Sequence, residues 1–158
     1  MKLFFQWPGE MGVFQTVWQM KALANASFVN PWIRERAALS IEGCGKNPKC
    51  HHATLQNFVT SIVNYVKDPK HVEALHHPVS FYEYRIRKGE KVWGDCDDMA
   101  TYLATLLKSI GHSPAFGVVG QQNAFHHVFV ICESEWLDPT MGLGRYPENP
   151  GRSIRVPV

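Results

Sequence analysis

Gly94-Asp95-Cys96-Asp97-Asp98-Met99-Ala100-Thr101-Tyr102-Leu103-Ala104-Thr105-Leu106-Leu107-Lys108-Ser109-Ile110-Gly111 reads as one complete helix with both of its ends marked. Met99, Ala100, Leu103, Leu106, Leu107 and Ile110 recur at three- and four-residue steps, the spacing of an apolar helix face. Asp95 stands where an N-cap belongs, and Asp98 three residues on resembles a capping box with aspartate in place of glutamate. Lys108 suits the last turn and Gly111 stops the helix. Cys96 therefore opens the helix, where free backbone amides and the positive end of the macrodipole favour a thiolate. It lies in line with Met99, Leu103, Leu107 and Ile110, so its sulfur is expected to face whatever the helix packs on. The amides of the same turn could also hold an oxyanion. Asp95, Asp97 and Asp98 work against this by raising the thiol pKa, so a nucleophilic Cys96 needs an imidazolium beside it.

Two strands are expected downstream. Ala115 to Val119 and Phe125 to Ile131 are rich in valine and phenylalanine, with Gly120-Gln121-Gln122-Asn123 as the turn between them. The second strand carries His126 and His127 on opposite faces, one shared with Val128, Val130 and Cys132, the other with Phe125, Phe129 and Ile131. Both faces are apolar, and periodicity leaves both histidines open. Trp136-Leu137-Asp138 reads as a short returning strand ended by Pro139, which cannot donate to a ladder. A reversal at Cys132-Glu133 sets residue 127 directly opposite residue 138 on one face, where Asp138 can orient a histidine ring and fix its tautomer.

Upstream the chain reads as helical. One helix covers Val13 to Ala24, and a second has Asn30 as cap, Pro31 at its first position and Gly43 as its stop. A third runs from Leu55 through Val66 until Asp68-Pro69 ends it. From Pro69 to Gly94 an irregular connection is expected, with His76-His77-Pro78 in a surface loop. Helices, then a helix bearing a cysteine, then antiparallel strands make an α+β order.

The motifs Gly94-Asp95-Cys96-Asp97-Asp98, Leu106-Leu107-Lys108-Ser109-Ile110-Gly111, Phe125-His126-His127-Val128-Phe129-Val130 and Trp136-Leu137-Asp138-Pro139-Thr140 together resemble the transglutaminase-like cysteine peptidase family, including its short phage and bacterial members. The likeness covers about half the chain and extends weakly to Tyr65-Val66-Lys67-Asp68-Pro69. It implies a papain-like core in which Cys96 attacks an acyl group, His127 is base and acid, and Asp138 orients it. It selects His127 over His126, because the family's histidine directly precedes a valine and then an aromatic or aliphatic residue. The activity so implied is cysteine-dependent hydrolysis through a thioester, acting on a peptide, a protein or a peptidoglycan stem peptide. Amine transfer to a protein glutamine is one alternative. A non-enzymatic virion or assembly component with the same fold and virion partners is another.

Trp93, Gln121 and Gln122 are expected substrate contacts, with Asn123 beside them. Cys132 is expected in the core. Cys44, Cys50, His51 and His52 carry donors for zinc or for a disulfide, but the Cys-x2-Cys spacing is missing and the surrounding Gly43, Gly45, Pro48 and lysines fit a simple loop. No metal and no cofactor are expected.

Composition sets the outer bounds. The chain's 158 residues, 45% hydrophobic and 12% aromatic, suit one domain with one core. A formal charge of +2, with 16 basic residues scattered along the chain, gives no footprint for nucleic acid. Four cysteines are too few for a disulfide scaffold at this length, so a reducing compartment is expected. Gln6, Pro8, Gly9 and Glu10 interrupt the apolar start before it resembles an export signal. No stretch reaches the roughly 20 apolar residues of a membrane span, so a cytoplasmic or virion-associated protein is expected.

Overall fold

The computed structural model describes residues 2–5, 10–69, 72–121, 124–140 and 152–158. Its centre is the helix quoted above, α5 (Cys96–Ser109). Every residue from Asp98 to Leu107 is buried, because α1 (Glu10–Ser27), α2 (Pro31–Ser40) and α3 (Pro48–Ile62) pack around one side and the sheet covers the other. The apolar stripe understated this burial. Thr101 and Thr105 are also inside, and each hydroxyl bonds back to the carbonyl four residues earlier, at 2.6 Å.

The expected α+β architecture is present. The main sheet is antiparallel in the order β7-β6-β5-β8, built from β5 (Ala115–Gln121), β6 (Ala124–Cys132), β7 (Glu135–Leu137) and β8 (Arg152–Pro157). Strand β8 was not foreseen. On β6 the residues Val128, Val130 and Cys132 join the main core, while Phe129 and Ile131 form a smaller cluster with Ala115, Val119 and the flanking Trp136. Two small pairs complete the fold, antiparallel β1 (Lys2–Phe5) with β3 (Val72–Leu75), and parallel β2 (Val63–Tyr65) with β4 (Val92–Gly94). No helix among the described residues is long and apolar enough to cross a membrane.

Several expectations are corrected. Helix α3 begins at Pro48, capped by the Asn47 side chain on the Cys50 N–H, and ends at Ile62; Val63-Asn64-Tyr65 is a strand because it pairs with β4. From Val72 to Gly94 the irregular connection is replaced by β3, a π-helical turn at Pro78–Glu83, α4 (Tyr84–Arg87) and β4. His76 is buried within it, not on a surface loop. Cys44 and Cys50 are joined in a disulfide across a separation of 6 residues, one of the alternatives left open beside the simple loop that the composition favoured. The chain reverses at Glu133-Ser134, both at positive φ (49° and 69°), one residue later than expected. Caps behave as read here: Asn30 accepts from the Trp32 N–H at 2.9 Å, and Gly111, at φ 94°, follows the end of α5.

Candidate functional site

Asp95 caps α5 by accepting from the Asp97 N–H at 3.1 Å, which leaves Cys96 as the first helical residue. Asp98 takes no part in a capping box. Its Oδ1 accepts the His76 N–H at 2.7 Å and its Oδ2 lies 2.8 Å from His76 Nδ1, so the motif's third aspartate is committed to an internal pair.

His127 Nε2 lies 2.5 Å from Asp138 Oδ2, and Asp138 Oδ1 accepts from the Thr140 N–H at 2.9 Å and the Thr140 hydroxyl at 2.7 Å. The later reversal moves the strand register by two residues, with Val130 opposite Leu137 and Ile131 opposite Trp136. A shift of two preserves the face, so Asp138 meets His127 diagonally from just beyond β7 instead of directly across. Thr60 of α3 donates to the Pro139 carbonyl at 2.8 Å and anchors this turn. Burial acts to raise the Asp138 carboxyl, but the bonds from His127 and Thr140 prevail and hold it below its ordinary value. A carboxylate at Nε2 keeps the proton on that nitrogen, and Nδ1 is then the position that can take up another.

Cys96 and His127 border the same cleft, of about 320 Å³, together with Phe125, His126, Val128 and Tyr65. No hydrogen bond joins Cys96 to His127 among the described residues. The thiol donates to Asp97 Oδ1 at 3.6 Å and also receives the Val128 N–H. Burial, followed by the charges of Asp97 and Asp95, pushes the thiol far above its ordinary value.

The acidic surroundings are partly self-neutralising. Burial and the charges of Asp98, Asp68 and Glu73 push the Asp95 carboxyl up to about 7. Asp97 is raised by burial, by Asp95 and by a carboxyl–carboxyl bond with Glu73, which is itself raised by burial and receives the Thr16 hydroxyl at 3.0 Å. Fewer negative charges therefore face the sulfur at neutral pH than the sequence alone suggests.

Tyr65 was missed as a site residue. It sits on β2 at the cleft, and burial and the charges at Cys96, Asp95, Asp97 and Asp138 push its hydroxyl up to about 12. No local signal marked it, because Val63-Asn64-Tyr65 continues the helical spacing of the preceding stripe and only pairing with β4 makes it a strand. Trp93 does not border the cleft. It lies on β4, half-exposed beneath the Arg85 guanidinium at 4.4 Å. Of the other expected contacts, Gln121 ends β5 and its side chain is not described, while Gln122 and Asn123 lie outside the described residues.

Against this geometry, comparison of the chain with protein-family models, with curated proteins and with solved structures found no match.

Proposed function

We propose that the protein is a cysteine-dependent acyl-transfer hydrolase of the transglutaminase-like, papain-like kind. The observation that carries this reading is the His127–Asp138 pair on a cleft whose wall also includes Cys96 at the start of α5. In the proposed cycle the Cys96 proton passes to His127 Nδ1, and Asp138 stabilises the imidazolium. The thiolate adds to a substrate carbonyl, and backbone N–H groups of the first turn of α5, which have no helical acceptor, face the developing oxyanion. His127 then protonates the leaving amine or alcohol as the carbon–heteroatom bond breaks, leaving a thioester. Water, deprotonated by the same Nδ1, attacks the thioester and releases the acid and the free thiol.

The thiol is bonded to Asp97 and not to His127, and catalytic bonds commonly form only with substrate in place. The peptide, protein or peptidoglycan substrate is proposed to exchange the Asp97 contact of Cys96 for one with His127. Hydrolysis is favoured over amine transfer because the cleft is open to water, which competes for the same acyl group.

A raised thiol bonded to Asp97 is also what a vestigial site in a virion or assembly component would retain. Iodoacetamide at neutral pH separates the two. In the enzyme Cys96 alkylates faster than the buried Cys132, and a panel of peptide, protein and peptidoglycan amides is cleaved in a Cys96-dependent way. Alkylation of Cys96 no faster than an ordinary thiol, with no cleavage across the panel, would leave the assembly reading. Label from a primary amine incorporated in excess of cleavage would instead make the protein an amine transferase.

A further inference from the structure

A second cluster of chemistry-bearing side chains lies away from the cleft, where α3, the loop after α5 and the β6–β7 hairpin meet. One donor atom each from His52, His112, Cys132 and Glu133 can be chosen so that all four lie within 4.8 Å of one another. Tetrahedral zinc with bonds of about 2.0 to 2.3 Å separates its ligand atoms by roughly 3.3 to 3.8 Å, so a contraction of about 1 Å closes the set.

The imidazole of His52 points to a ligand independently of that clustering. It is 1% exposed, and its Nε2 has no hydrogen-bond partner among the described residues. The nearest carboxylate oxygen paired with that nitrogen is Glu133 Oε2, at 3.9 Å, beyond hydrogen-bond range. His52 Nδ1 lies 2.6 Å from Glu135 Oε2, which fixes the proton on Nδ1 and leaves a lone pair on Nε2 directed into the cluster. A carboxylate behind a histidine is the arrangement that orients metal-bound imidazoles.

His112 is held just as firmly. Its Nε2 lies 3.1 Å from His51 Nδ1, and His51 Nε2 donates to the Gly45 carbonyl at 2.8 Å. A neutral His51 can then only accept at Nδ1, so His112 donates from Nε2 and turns Nδ1 to Glu133 Oε1 at 2.7 Å. One proton lies between His112 Nδ1 and Glu133 Oε1. A cation in place of the Nδ1 proton serves the same bond.

We infer that His52 Nε2, His112 Nδ1, the Cys132 thiolate and the Glu133 carboxylate form a binding site for a zinc-class divalent cation. The balance closes: one dication enters, the His112 Nδ1 proton and the Cys132 thiol proton leave, and the net charge of the site is unchanged. Two nitrogens, one sulfur and one oxygen suit zinc better than magnesium or calcium, which take oxygen donors. Bound there, the ion ties α3 to the hairpin that leads into Asp138.

The test uses the full chain with its disulfide intact, stripped by chelation and titrated with cobalt(II) and then with zinc. One equivalent of cobalt should bind, with tetrahedral visible bands and a near-ultraviolet thiolate-to-cobalt band, and zinc should displace it. Cys96 and Cys132 are the free thiols, so the near-ultraviolet band should persist in Cys96→Ala and vanish in Cys132→Ser. The assignment stands on Cys96→Ala alone if Cys132→Ser does not fold. Glu135→Gln, outside the ligand set, should weaken affinity by about 10- to 100-fold with the circular dichroism unchanged. Absence of stoichiometric binding, a thiolate band lost with Cys96, or affinity indifferent to Glu135 would each overturn the site.

Discussion

Two histidine–aspartate pairs lie near the first turn of α5, alike in chemistry and different in access. In His76–Asp98 both side chains are sealed, and Phe81 stacks on the imidazole with ring centres 3.8 Å apart. In His127–Asp138 the aspartate is nearly buried, yet the histidine stands at the wall of a cleft. Each aspartate also binds a backbone N–H, so both are rigidly placed. What separates them is what the rest of the ring can reach. A sealed pair can only clamp the end of β3 to α5, whereas a pair on a cleft can take up and return a proton.

The largest expected effects fall on the open pair. Cys96→Ala should abolish turnover, and Asp138→Asn should lower kcat by about 10²- to 10⁴-fold, because an amide can hold the opposite tautomer of the His127 ring. Its thermal stability should stay near that of the parent. Turnover of Asp138→Asn equal to the parent at matched stability removes Asp138 from the mechanism and erases the contrast between the pairs.

The sealed pair should fail in the reverse manner. Asp98→Ala leaves the buried His76 N–H and ring without an acceptor and should cost about 3 kcal/mol, read as a Tm lower by about 10 °C. A Tm unchanged in that variant would show that the pair is no clamp. Gly94→Ala tests the same packing more gently. A Cβ there meets Asp98 Cβ and Oδ2 at 2.7 Å and the Tyr82 hydroxyl at 2.9 Å, so the substitution should cost about 1 to 3 kcal/mol, measured by denaturant unfolding.

The contrast also explains which parts of the molecule were legible in the sequence. Helix α5, its Asp95 cap and the strands β5 and β6 were readable because periodicity and capping are local signals. His127 and Asp138 met despite a misplaced turn, since an error of two residues in register returns each side chain to its own face. Asp98 was misread because its local role, a capping box, lost to a partner 22 residues away. The His52, His112, Cys132 and Glu133 cluster was invisible for the same reason. Its donors come from α3, a loop and a hairpin, and no spacing rule connects them. The disulfide half of the Cys44, Cys50, His51, His52 motif was among the alternatives, but the loop composition outweighed it. Strand β2 went unread because Val63-Asn64-Tyr65 continues an apolar helix pattern and only its pairing with β4 makes it extended.

The smallest effect concerns the acids that share the cleft with the open pair. The folded-state pKa of Asp95 is raised to about 7, mainly by burial and then by the Asp98, Asp68 and Glu73 charges. As pH climbs from about 4 to 7 the unfolded chain gives up this proton while the folded chain keeps it, so the unfolded state binds fewer protons and stability declines across that window. Above 7 the contribution levels off. Asp97, Glu73 and Asp68 are raised too and have the same sign, whereas Asp138, held low, adds stability that is lost only as pH falls through its own folded value. Asp95→Asn retains a side-chain oxygen to cap the Asp97 N–H and removes one titration. The Tm difference between pH 5 and pH 8 should therefore shrink in the variant without vanishing. Removing a charge that raises the Cys96 thiol should also speed its alkylation at pH 8, by up to about tenfold, the effect of one pK unit. A pH slope identical to the parent's would mean that Asp95 ionises near its ordinary value and keeps its charge, beside that of Asp97 and on top of burial, against the thiol throughout that window.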